Sequence, residues 1–143
     1  MAGPLTLSNP YDSPDQAARC GFKKVMANGV QWYTNEFGFW VILKVVKVDG
    51  ESAPKYYYTG PESDGPSHVE MTLPEGVSVV GNCHTHPRTY KTGDFSTGDK
   101  RQYLKLRKAR PGIAFYLLNP SGEIRRAITE GEFPAGVTVN WNR

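Results

Sequence analysis

Three side chains that can bind a metal ion lie close together in GNCHTHPRTYKTGDFSTGDK, residues 81–100. His84 and His86 are separated by a single residue, and Asp99 follows them. Side chains at i and i+2 of a strand point to the same face, so both imidazoles can reach one ion. Two nitrogens, one carboxylate oxygen and an open fourth position are typical of catalytic zinc, which lowers the pKa of a bound water to about 7. One interpretation of this pattern is a metal site that activates water.

The same segment also has a purely structural interpretation. Ser96-Thr97-Gly98-Asp99 matches a capping box, with Ser96 as the N-cap and Asp99 as its reciprocal partner. A pair of histidines on a strand is, by itself, more often structural than metal-binding. Spacing alone leaves both interpretations open.

The elements that must position these residues follow from capping signals and hydrophobic patterns. Ser13 and Pro14 predict a helix start, and Asn28-Gly29 predicts its end. A second helix is expected to begin at Ser96 and to end at Pro111-Gly112. The predicted strands cover residues 36–50, 55–60, 77–86, 112–120, 123–129 and 137–141, with 36–50 and 55–60 forming a hairpin with a long loop. This order predicts a mixed β-sheet with helices packed on it.

The bulk composition fits one globular domain. The chain has 143 residues, 38% of them hydrophobic, and a net charge of +3. We expect a loose lead-in over residues 1–12 and a single domain over 13–143. Cys20 and Cys83 are expected to be free thiols, and Cys83 should point away from the two histidines. His68, in a Pro/Gly/Ser-rich loop, is expected to be exposed.

Composition also bears on location. No apolar run approaches the roughly 20 residues that a membrane span needs. The segment MAGPLTLSNPYDSP has no basic start and no apolar core, so we expect no signal peptide. The chain is therefore expected in the cytoplasm or delivered into a target cell, without membrane association.

His84-Thr85-His86-Pro87 followed by Ser96-Thr97-Gly98-Asp99 resembles the JAMM (JAB/MPN) zinc metalloprotease motif, His-x-His-Pro and then Ser-x-x-Asp. The chain is most similar to the bacterial DUF4329-like group of toxin and effector domains in secretion systems. The loop between the two halves of the motif is longer than in the eukaryotic-type proteins. The stretches that carry the resemblance are Asp15 to Ala18, Asn35 to Gly38, Tyr56 to Tyr58, His84 to His86, Phe95 to Asp99 and Phe115 to Gly122.

The resemblance implies a fold, a cofactor and roles for individual residues. The fold would be the JAMM/cytidine-deaminase-like α/β fold. His84, His86 and Asp99 would bind Zn²⁺, Glu36 would be the general base, and Ser96 would donate to the developing oxyanion. The activity would be peptidase or isopeptidase, with a polypeptide substrate and a cognate immunity or inhibitor protein as partners.

Two other functions remain open. A metal-dependent nuclease would suit the histidines and the basic second helix, but the chain lacks an Asp/Glu cluster of the two-metal type. A non-catalytic JAMM-like binding domain would keep the fold without the motif. We interpret the six cations of this helix as a solvated face. A contact to an acidic partner is the alternative, with nucleic acid disfavoured. The six cations are Lys100, Arg101, Lys105, Arg107, Lys108 and Arg110.

Overall fold

A mixed sheet with one helix on each face forms the part of the chain that the computed structural model describes, residues 6–27, 32–63, 65, 71–87 and 93–141. The helices are α1 (Pro14–Met26) and α2 (Thr97–Ala109). The strands are β1 (Phe37–Val48), β2 (Glu51–Tyr58), β3 (Glu62–Ser63), β4 (Ser78–Thr85), β5 (Ala114–Leu118), β6 (Ile124–Ala127) and β7 (Val137–Val139). A short 3₁₀ turn, Glu130–Glu132, precedes β7.

The strand order places β4 inside the sheet. The order is β2-β1-β4-β5-β6-β7, and β3 pairs with the start of β1. Strands β4 and β5 are parallel, and the other pairs are antiparallel. Because α2 connects two parallel neighbours, it packs against the sheet and runs back along β4. The predicted mixed α/β sheet with packed helices is confirmed.

The two faces of the sheet carry separate apolar clusters. On the first face, α1 packs Ala17, Ala18 and Phe22 against Phe39 and its neighbours. Gly21 is needed for this approach, because a Cβ there would lie 2.4 Å from the Phe39 ring. On the second face, α2 contributes Tyr103 and Leu106 to a cluster with β1, β4 and β5.

Both helix starts form as their sequences predict. The Ser13 side chain accepts a hydrogen bond from the Gln16 N–H, and Pro14 occupies the first turn. Ser96 and Asp99 form a complete capping box at the start of α2. The predicted end of α1 at Asn28-Gly29, and the predicted exposure of His68, lie outside the described residues.

The hairpin differs from its prediction. Instead of a long loop before a strand at residue 55, a two-residue turn leads directly into β2, and Val48 pairs with Glu51. Asp49 and Gly50 both have positive φ angles, 52° and 82°. Such a turn matches the twist of the flanking strands and extends the pairing. Pro54 is tolerated because β2 is an outer strand.

The lead-in expected to be loose over residues 1–12 is paired where the structure describes it. Leu7 bridges Thr59 and Tyr11 bridges Tyr56. Ser8 both donates its N–H to the Tyr58 carbonyl and accepts the Tyr58 N–H at its hydroxyl. These bonds satisfy outward-facing backbone groups of β2, which would otherwise form an open sheet edge.

Among the residues that the structure describes, no helix is both long and apolar enough to span a membrane.

Candidate metal centre

Strand β4 presents His84 to the face covered by α2, and His86, the residue just after the strand, continues on that face. His84 and His86 are 5% and 1% exposed, and Asn82 precedes them on the same face. Cys83 lies in the opposite cluster, beneath α1. This alternation is the one expected of a strand, and it keeps the thiol away from the imidazoles.

The first turn of α2 brings Asp99 to both histidines. His84 Nε2 lies 3.0 Å from Asp99 Oδ1, and His86 Nε2 lies 3.0 Å from Oδ2. The ligand atoms of all three side chains lie within 4.8 Å of one another. The residues that the sequence predicts as metal ligands therefore meet at one point.

The contacts of the two histidines with Asp99 differ in geometry. His86 and Asp99 are in hydrogen-bonding geometry. His84 Nε2, in contrast, is close to Asp99 Oδ1 but is not aligned for a hydrogen bond with it. Bonds of about 2.0–2.1 Å at tetrahedral angles would put neighbouring zinc ligands about 3.3 Å apart. Each histidine lies 3.0 Å from a different oxygen of Asp99, and the three ligand atoms within 4.8 Å of one another form a group that could hold a metal ion.

The charges within the cluster favour the ligand form of Asp99. Burial alone would raise the pKa of its carboxyl, but His84 and His86 hold that pKa well below its usual range. Burial lowers the pKa of His86, which favours a neutral imidazole. Burial also acts to lower the pKa of His84, but Asp99 and, more weakly, Glu36 outweigh it and raise that pKa. The site thus holds an ionised carboxylate between two imidazoles.

Backbone contacts hold Glu36 at the mouth of the same site. Its N–H donates to the Gly65 carbonyl at 3.0 Å, and the next N–H, of Phe37, donates to the Thr85 hydroxyl at 2.9 Å. Gly38, two residues later, pairs with His84 and places no side chain between them. Glu36 is half-buried and lines the same cavity as His84 and Asp99.

Ser96 is placed as a capping residue. Its hydroxyl accepts the Asp99 N–H at 3.1 Å, and its own N–H donates to Asp99 Oδ2 at 2.7 Å. The second bond orients the carboxylate that faces the histidines. The Ser96 side chain lines a smaller cavity of about 300 Å³ beside Phe95 and Phe133. Its oxyanion role stays a prediction.

We expect Ser96→Ala to lower stability without loss of zinc. The lost cap should cost about 1 kcal/mol, whereas the backbone bond that orients Asp99 remains. Ser96→Asn should restore the melting temperature, because Asn caps as well as Ser. Thermal unfolding of both variants checks this, and equal melting temperatures for wild type and Ser96→Ala would contradict it. A loss of activity that persists in the well-folded Ser96→Asn protein would show that the hydroxyl takes part in the chemistry.

A cavity of about 520 Å³ lies over the cluster and includes residues that the sequence did not single out. Its lining consists of Glu36, Trp40, Met71, Thr72, Asn82, His84, Asp99, Gln102, Lys105 and Phe115. Gln102 and Lys105 follow Asp99 at three-residue intervals on α2, so they share its face. That spacing is the signal in the sequence that would have found them.

The other basic residues of α2 show how the helix meets its surroundings. Glu130 lies 3.4 Å from Arg107 and 3.8 Å from Lys100, and these pairs are exposed. Exposed pairs of this kind contribute little stability. The solvated-face interpretation therefore describes these two cations, whereas Lys105 borders the cavity.

Comparisons with known proteins identify no family for this chain. No protein-family model, no curated protein and no solved structure matches the chain.

Proposed function

We propose that this chain is a zinc-dependent peptidase or isopeptidase. The observation that carries the proposal is the convergence of His84, His86 and Asp99 on one point in the wall of a cavity that Glu36 also lines. Zinc bound there would act as a Lewis acid and lower the pKa of a water to about 7. Catalytic zinc sites commonly use three protein ligands and keep one position open, and His84, His86 and Asp99 would supply three such ligands.

The chain's own residues supply the remaining steps of amide hydrolysis. Glu36 would accept a proton from the attacking water, whose oxygen bonds to the carbonyl carbon. It would then deliver that proton to the amine nitrogen as the C–N bond breaks. The buried walls formed by Trp40 and Phe115 would limit access of bulk water.

The JAMM resemblance supports the same roles and extends the proposal. The motif order, Glu36 then His84, His86, Ser96 and Asp99, is that of the family. On this resemblance we propose the JAMM/cytidine-deaminase-like fold. We further propose an effector domain of a bacterial secretion system, with a polypeptide substrate and an immunity protein as partner.

A nuclease is less well supported by the cavity. Its described lining contains two carboxylates, Glu36 and Asp99, and one cation, Lys105. Phosphodiester substrates are usually held by several cations or by two metal ions. A cavity with mixed charge and aromatic walls suits a peptide better.

The test is metal-dependent cleavage of amide bonds. The zinc-loaded protein would be incubated with a peptide library and with peptides branched through lysine side chains, and products identified by mass spectrometry. We expect cleavage that stops on chelation and returns with zinc. Plasmid DNA and RNA serve as parallel substrates. Degradation of nucleic acid without peptide cleavage would replace the proposal with a nuclease, and cleavage of neither would favour a binding domain.

A further inference from the structure

Asn82 is a buried polar side chain that opens into the cavity. It is 6% exposed, and its amide makes no hydrogen bond to any residue in the described part of the chain. It lies on β4, with Trp40 directly opposite on β1 and Phe115 directly opposite on β5. A carboxamide therefore points into the cavity from between two aromatic side chains.

No hydrogen bond within the described part of the chain uses the Asn82 side chain. The surrounding cluster is apolar, containing Ile42, Val79 and Leu106 among others. The Asn82 amide atoms are not among the buried side-chain atoms that lack a partner, so they are open to the cavity and can meet a ligand there. The carboxamide has one acceptor and one donor group, which match the N–H and C=O of a peptide.

The distance between Asn82 and the metal cluster follows from the geometry of the strand. Asn82 and His84 are two residues apart on one strand, so their Cα atoms are about 7 Å apart. Helix α2 runs back along β4 and lines the opposite wall with Gln102 and Lys105. An extended chain covers about 7 Å in two residues, so a peptide in this channel would bring its second peptide group to Asn82.

We propose that Asn82 is a substrate-positioning residue that hydrogen-bonds a peptide group about two residues from the bond cut at the metal cluster. This proposal rests on the proposed hydrolase function, because that function fixes where the bond is cut. The expected substrate is therefore an extended polypeptide segment, because a small amide or a dipeptide bound at the metal cluster would not reach Asn82. The carboxamide oxygen would accept the peptide N–H, and the carboxamide nitrogen would donate to the peptide carbonyl.

The first measurement needs no activity. Spectra of Asn82→Leu and of the size-conserving Asn82→Asp identify the side-chain amide signals of Asn82 by NMR, since both variants lack them. The zinc-free wild type is then titrated with acetyl-tetraalanine amide, and with acetamide as the small control. We expect the Asn82 signals to shift with the peptide and much less with acetamide. No shift with the peptide would overturn the proposal.

The second measurement separates a binding role from a structural one. Asn82→Leu should keep its zinc, melt near the wild-type temperature, and lose about 10-fold in kcat/KM on long peptides but not on dipeptides. A lower melting temperature with equal losses on all substrates would show a structural role and overturn the proposal. If wild type neither binds zinc nor cleaves peptides, the hydrolase function fails, and the NMR titration alone decides whether Asn82 binds peptide groups.

Discussion

Glu36→Gln is expected to reduce amide hydrolysis by about 10²- to 10⁴-fold, the range of a lost general base. The substitution keeps the size of the side chain and its place in the cavity lining, but the amide cannot take a proton from water. Because Glu36 is outside the three-residue ligand cluster, zinc content should stay at the wild-type level. The measurement is kcat/KM on the best peptide substrate, with metal content determined on the same samples.

Glu62→Gln is the matched control for this result. Glu62 is an exposed carboxylate on β3, where it pairs with Gly38 near the site but does not line the cavity. Its replacement removes one negative charge from the same region and should leave activity almost unchanged. Equal activity of Glu36→Gln and wild type would contradict the general-base role, even if zinc is bound. Equal losses of activity in both variants would show that the negative charge near the site matters, and not proton transfer by Glu36.

The second large effect is expected on thermal stability. On the proposed function, zinc would bind the folded cluster and not the unfolded chain, so saturating zinc should raise the melting temperature of the metal-free protein. Zinc at about 1,000 times its dissociation constant stabilises the folded state by about 4 kcal/mol. For a domain of this size that free energy corresponds to a shift on the order of 10 °C. Calorimetry or a fluorescence melt, with and without zinc, measures it.

Asp99→Asn should abolish most of this shift. Asn keeps the size of the side chain and can still accept the Ser96 N–H, so the start of α2 is retained. It lacks the charge that both histidines face at 3.0 Å. Asp94→Asn, a change of the same kind outside the ligand cluster, should keep the full shift. A zinc-induced rise in Asp99→Asn as large as in wild type would place the metal elsewhere on the chain.

The parts of the fold that depend on local signals were predictable. Ser13 and Ser96 start helices because their hydroxyls accept N–H groups of the first turn, and that preference is local. The missed features depend on contacts between distant segments. The two-residue strand β3 forms only because Phe37 and Gly38 lie beside it, and residues 7–11 are ordered by β2. Residues 51–54, which include Pro54, have a weak strand pattern, so the start of β2 was placed too late.

The candidate site was predictable to the extent that it lies on one strand and one helix start. His84 and His86 share a face because of strand geometry, and Asp99 follows at the first turn of the next helix. Asn82 lies on that same face, but nothing in its type shows that it would lack a partner. That property depends on Trp40 and Phe115 on the neighbouring strands, which no local pattern brings together.

The most direct test of the central claim is elemental analysis of metal in protein purified without a histidine tag. His86→Ala and Asp99→Ala are analysed beside the wild type, with circular dichroism to show that each remains folded. The zinc-site account predicts close to one zinc per wild-type chain and almost none in either variant. A folded wild-type protein that holds no zinc, even after zinc is added, would contradict it, and the histidine-aspartate cluster would then be a buried hydrogen-bonded cap on α2.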